Sequence, residues 1–103
     1  MTKLPMTYHA GIQGHEDWPV GHFGYSETDH DGTRLAEAEL YCFIRMNESM
    51  CVLPIVRGKK TENAWGWDGD LEKPTLRPSV LHQPSASLLP WHGHVIQGEL
   101  VTS

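Results

Sequence analysis

"WHGHVIQGELVT", residues 91–102, alternates Val95 and Leu100 with His92, His94 and Glu99 about a central Gln97-Gly98 pair. Alternation with period two places successive side chains on opposite faces of an extended chain, and a two-residue turn carrying glycine joins two such runs as a β-hairpin. Folding the stretch at Gln97-Gly98 sets Ile96 opposite Glu99 and His94 opposite Val101. His92, His94 and Glu99 then share one face, and Val95 and Leu100 share the other.

The same period recurs upstream. In "RLAEAELYCFIRM", residues 34–46, Ala36, Ala38, Leu40, Cys42, Ile44 and Met46 fall on one side and Glu37, Glu39, Tyr41, Phe43 and Arg45 on the other. "LYCFIRM" is rich in strand-forming residues, whereas "RLAEAEL" also suits a helix capped by Thr33, so a short helix near residues 33–40 stands beside the strand reading. "NES" reads as a turn and "MCVLPIV" as the returning strand, with Pro54 suggesting an edge or a bulge. A tight turn at Met46-Asn47 would set Arg45 against Glu48 and Cys42 against Cys51. Such a pair permits a disulfide, although two reduced packing cysteines suit a cytoplasmic protein better.

Turn signals at Asp68-Gly69, Pro74, Pro78 and "PSAS" separate further short extended runs, and 10 Gly and 7 Pro in 103 residues favour many short elements over long helices. The expectation is one small, mainly β unit, an antiparallel β-sandwich or roll over residues 39–103. Residues 1–38 read as an irregular, acidic, histidine-rich N-terminal arm.

The charge is −5, and residues 1–51 hold three basic and eight acidic groups against five of each in residues 52–103. An acidic surface repels phosphate backbones and anionic headgroups, which disfavours nucleic acid and membrane as partners. No apolar run is long enough to span a bilayer, and "MTKLPMTYHAG" lacks the apolar core of a secretory signal, so the expected compartment is cytoplasmic.

Two imidazoles and a carboxylate converging from His92, His94 and Glu99 form a donor set that zinc or another divalent transition metal accepts. The competing reading is the hydrated face of an ordinary hairpin. "ETDHDGT", residues 27–33, opens like a calcium loop but has Ala38 where the bidentate Glu belongs, and reads as an acidic turn. His9, His15, His22 and His30 lie in a segment with five carboxylates and no Lys or Arg, a source of further ligands or simply of groups titrating near neutrality. No G-x-S-x-G turn, phosphate loop or H-E-x-x-H helix occurs, and Cys42 and Cys51 fall in strands, so an enzymatic reading leans on a metal.

"WGWDGDLEKPTLRPSV", residues 65–80, is similar to a block found in a family of small, functionally uncharacterised phage and prophage proteins, sometimes labelled ammonia monooxygenase. Trp65, Trp67, Asp68, Gly69, Asp70, Pro74, Thr75, Pro78, Ser79 and Val80 carry the first motif, and His92, Val95, Gly98 and Leu100 a second. The resemblance implies a zinc knuckle of C-P-x-C type with a nearby His and a later Cys-His pair. Here the knuckle falls on Ile44, Arg45, Met46 and Asn47, its His on Cys51 and the later Cys on Trp91; only His92 is retained. Packing by Ile44 and Trp91 would then fill the volume that a metal occupies elsewhere.

Two functions follow. One is a phage-type accessory protein, without catalysis, that binds a host or virion protein through its acidic arm. The other is a metalloprotein or metal-dependent enzyme built on His92, His94 and Glu99, completed by an arm histidine or Cys51.

Overall fold

The structure is a computed structural model that describes residues 2–47, 49–85, 87 and 90–103. Its nine strands are β1 (Thr2–Pro5), β2 (Thr7–Tyr8), β3 (His22–Ser26), β4 (Leu40–Arg45), β5 (Met50–Arg57), β6 (Trp65–Trp67), β7 (Leu76–His82), β8 (Trp91–Ile96) and β9 (Glu99–Thr102). They form one mixed sheet in the order β1-β9-β8-β7-β6-β5-β4-β3-β2.

The mainly β expectation holds, and the sheet curls almost into a barrel because its two edge strands adjoin in sequence. β1 pairs antiparallel with β9 (Leu4↔Leu100), whereas β2, one residue further on, pairs parallel with β3 (Tyr8↔Phe23). Met6 between them donates its N–H to the Gly98 carbonyl at 2.9 Å. One extended segment thus stitches both edges and covers polar backbone that an open sheet would expose. Residues 1–38, read as an irregular arm, therefore contribute β1, β2 and β3 to the common sheet.

The enclosed core holds Phe23, Cys42, Ile44, Leu53, Ile55, Trp67, Leu76, Val80, Trp91, Val95 and Leu100. Along β8 the alternation is complete: Trp91, Gly93 and Val95 are buried, and His92, His94 and Ile96 are exposed. β4 departs from it, since Tyr41 through Ile44 are all buried. Its outer residues Tyr41 and Phe43 lie beneath Trp18 and Ala38, supported by Ile12, so the chain before β3 and before β4 supplies a second apolar layer outside the barrel.

The helix considered for residues 33–40 does not form; the single helical element among the described residues is a 3-10 turn at His15–Asp17. Thr33 spends its N–H on the Asp29 carboxylate, and the Glu39 N–H bonds the Ile55 carbonyl of β5 at 2.8 Å. Ladder hydrogen bonds claim the segment before a helical turn, costly to nucleate in so short a run, can close. Pro54 lies inside the sheet, paired with Tyr41, and is accommodated because β6 pairs with β5 only from Ile55 onward.

The first hairpin has a different register from the one expected. Arg45 pairs with Met50, Ile44 with Cys51 and Cys42 with Leu53, and both cysteines are free. Met46 N–H bonds the Ser49 carbonyl, which lengthens the turn beyond Met46-Asn47; Glu48 lies outside the described residues. The terminal hairpin is as expected: Ile96↔Glu99 and His94↔Val101, with Gln97 at φ 47° and Gly98 at φ 75°, the left-handed pair of a tight two-residue turn.

Much of the tryptophan-rich block serves architecture. Asp68 Oδ1 accepts from the N–H groups of Asp70 and Thr75, Asp70 Oδ1 from those of Glu72 and Lys73, and Trp67 Nε1 donates to the Asp70 carbonyl. Two carboxylates thereby hold the β6–β7 loop shut by satisfying backbone donors.

Candidate functional site

β7 ends at the rim of the barrel, and its last residue decides what that rim can do. Val80 points into the core, so two residues later His82 points the same way, but at the strand terminus it is only half-buried. The β4–β5 turn comes over from across the rim and brings Ser49. Ser49 Oγ and His82 Nε2 lie 2.7 Å apart, a full hydrogen bond between residues 33 apart in sequence. Burial holds the His82 imidazole below its ordinary value, which favours the neutral ring at neutral pH. With Nε2 unprotonated, the hydroxyl donates to it, the arrangement a general base needs to draw a proton from a serine. Among the described residues no carboxylate is hydrogen-bonded to His82.

A groove of about 490 Å³ is lined by Leu4, Val20, Asn47, Pro90, Trp91 and His92 among others, and neither Ser49 nor His82 lines it. Asn47 is two residues before Ser49, and Trp91 is the register partner of His82, so groove and hydroxyl occupy one end of the barrel. Leu4 and Val20 are exposed there.

The expected metal set is distributed differently. His92, His94 and Glu99 do share the outer face of the terminal hairpin, with both histidines exposed. Among the described residues, however, no group of three His, Cys, Asp or Glu side chains is close enough to hold a metal ion. Cys51 cannot complete the set: it packs inside the barrel, where desolvation pushes its thiol up to about 12. Burial, with the neighbouring Cys51 adding to it, raises Cys42 further still. Both thiols stay protonated, inert packing groups.

Three of the four arm histidines are engaged in hydrogen bonds or ring packing, while His30 is exposed beside Asp31 at 3.5 Å. His9 Nε2 and His22 Nδ1 lie 2.8 Å apart, and His9 stacks on Trp18 with ring centroids 4.4 Å apart. His15 bonds the Ile12 carbonyl through Nδ1 and meets Phe43 edge-on. In "ETDHDGT", Asp29 Oδ1 accepts from the N–H groups of Asp31 and Thr33, closing an acidic turn on itself.

Of the positions on which the expected knuckle falls, Ile44 and Met46 are buried and apolar. Ile44, Met46, Cys51 and Trp91 belong to one buried cluster, while Arg45, directed outward, donates from Nη2 to the Glu16 carbonyl at 2.6 Å. Dispersion and area burial hold this cluster together.

A second serine lies on β7. The β7–β8 register sets Val80 against Gly93 and Leu81 against His92, and Ser79 falls in the stretch between Leu76 and Val80 where that register shifts. Ser79 is half-buried, and its carbonyl accepts from Trp65 Nε1 at 3.3 Å. Sequence reasoning had no access to the Ser49–His82 pair, because neither residue sits in a motif and "NES" reads only as a turn.

A family model described as "Bacterial ubiquitination-like system serine protease (BubE)" matches residues 16–102, most of the chain. No protein of curated function and no solved structure matches it. The matched span takes in Ser49, Ser79, His82, His92 and His94.

Proposed function

The chain belongs to the BubE family, bacterial ubiquitination-like system serine proteases, and from that premise we propose that it hydrolyses a peptide or isopeptide-type bond, with Ser49 as nucleophile and His82 as general base. The observation that carries the assignment is the 2.7 Å hydrogen bond between Ser49 Oγ and His82 Nε2. Oγ attacks the scissile carbonyl carbon as its proton passes to Nε2. Collapse of the tetrahedral intermediate expels the amine, which takes that proton, and leaves an ester on Ser49. Water then attacks the ester, giving its proton to Nε2, and the carboxylic acid departs as Oγ is reprotonated. Half-burial of His82 supports the neutral base, and the groove at the same end of the barrel offers a substrate an apolar seat against Trp91 and Leu4.

The pairing of β7 with the strand that carries His92 and His94 supports a second reading, in which the nucleophile is Ser79. A fluorophosphonate probe, which esterifies activated serines, separates the two. Peptide mapping is expected to find the adduct on Ser49, and Ser49→Ala and His82→Ala are expected to abolish it. An adduct on Ser79 that survives Ser49→Ala would transfer the assignment to that serine. Failure to label any serine, together with full hydrolytic activity in both alanine variants, would remove serine chemistry altogether.

A further inference from the structure

A second concavity lies on the far side of β7. The loop following β5 turns back across β6 so closely that a Cβ on Gly66 would stand 2.5 Å from the Gly58 carbonyl oxygen and 3.0 Å from Lys60 N. Glycine at 66 is what lets that loop lie directly on β6. A cavity of about 480 Å³ is lined by Gly58, Lys59, Lys60, Gly66, Arg77 and Pro78. Two smaller cavities of about 210 Å³ adjoin it, one sharing Gly58, Gly66 and Arg77, the other Lys60 and Pro78. The three make one trough along β6.

Its charge runs against that of the molecule. In a chain of net charge −5, the central cavity presents three cations and no carboxylate. Arg57 nearby is neutralised by Glu39 at 2.7 Å, whereas Lys59, Lys60 and Arg77, all exposed, enter no ion pair among the described residues. Carboxylates return at the two ends, with Asp68 in one adjoining cavity and Glu62 in the other. This pattern of negative, positive, negative fits a strand with an anionic residue at its centre and neutral residues on either side. A continuous polyanion would meet repulsion at both ends.

We propose that this trough docks an extended peptide segment of a protein partner, with one or two acidic side chains held by Lys59, Lys60 and Arg77. Pro78 and the aliphatic stems of the lysines supply apolar contact. The proposal is independent of which serine reacts, since it is read by binding rather than hydrolysis.

The test uses a fluorescein-labelled peptide of roughly ten residues with two central glutamates in a Gly-Ser-Val background, and its glutamine counterpart, in fluorescence anisotropy with the full chain. The glutamate peptide is expected to bind at least about fivefold more tightly than the glutamine one, with the difference shrinking as salt rises. Lys59→Gln/Lys60→Gln/Arg77→Gln is expected to remove that preference, while Lys3→Gln, on the edge strand β1 and away from the central β6, retains it. Unchanged thermal unfolding of the triple variant shows that the fold is intact. Equal affinity for the two peptides, no measurable binding, or an undiminished preference in the triple variant overturns the proposal. A labelled single-stranded oligonucleotide binding more tightly than the glutamate peptide overturns it in favour of phosphate recognition.

Discussion

His82 and His92 stand on adjacent strands of one sheet, yet they have opposite chemical circumstances. His92 pairs with Leu81 on the outer face of β8, beside His94, and is exposed to water. His82 faces inward at the end of β7, half-buried and bonded to a serine delivered from another turn. Water around an exposed imidazole dissipates directional interactions, whereas partial burial keeps the ring neutral and its partner fixed. Two histidines close in sequence thus stand on an exposed face, and a histidine with no sequence neighbour of note meets a serine from another turn.

That contrast is broken most severely by removing the pair. Ser49→Ala or His82→Ala is expected to lower turnover about a thousandfold or more, with the double variant little worse than either alone, because the two act as one unit. Steady-state rates on the cleaved substrate measure this. His92→Ala/His94→Ala is expected to leave turnover within about threefold, the size of an indirect effect on a groove-lining residue.

The next effect concerns the two faces of the sheet rather than the two histidines. Ile44→Ala removes a fully buried side chain from the closed core and is expected to cost about 2–5 kcal/mol in urea unfolding. Ile96→Ala, on the outer face with His92 and His94, is expected to cost well below about 1 kcal/mol.

A smaller effect sharpens the comparison through pH. The folded-state value of His82 lies below its unfolded value of about 6.5, so the folded chain resists protonation more than the unfolded one does. The resulting stability is fully present above about pH 6.5 and is lost as pH falls through the lower folded value. Urea midpoints at pH 7.5 and below pH 6 are expected to differ less in His82→Gln than in the parent. The same neutral ring is expected to carry hydrolysis below the pH at which an unperturbed imidazole base would lose it.

The smallest effect is expected from metal. Zinc added to the parent and to His92→Ala/His94→Ala should shift their melting temperatures alike, since the outer-face residues form no chelating group. A stabilisation confined to the parent would restore a metal role to the hairpin.

Legibility followed the range of the forces involved. The period-two runs, the Gln97-Gly98 turn, the Asp68-Gly69 turn and the shared face of His92, His94 and Glu99 were all readable, because each depends on residues only a few positions apart. Cys42↔Leu53, in place of Cys42 against Cys51, was not, since a slightly longer turn shifts an entire register. The stretch 33–40 carried genuine helix propensity, and Glu39 bonding to Ile55 overrode it.

The sequence by itself therefore determined a β protein of short strands, the facing of each side chain along its own strand, and an apolar interior. Tertiary structure alone decided that Thr2–Tyr8 would join both sheet edges, that residues 9–20 would cover β4, and that Ser49 would meet His82. Alternation fixes which side of its own strand a residue occupies. It carries no information about which strand curls round to face it, because that depends on summed twist and on edge pairing over the whole sheet.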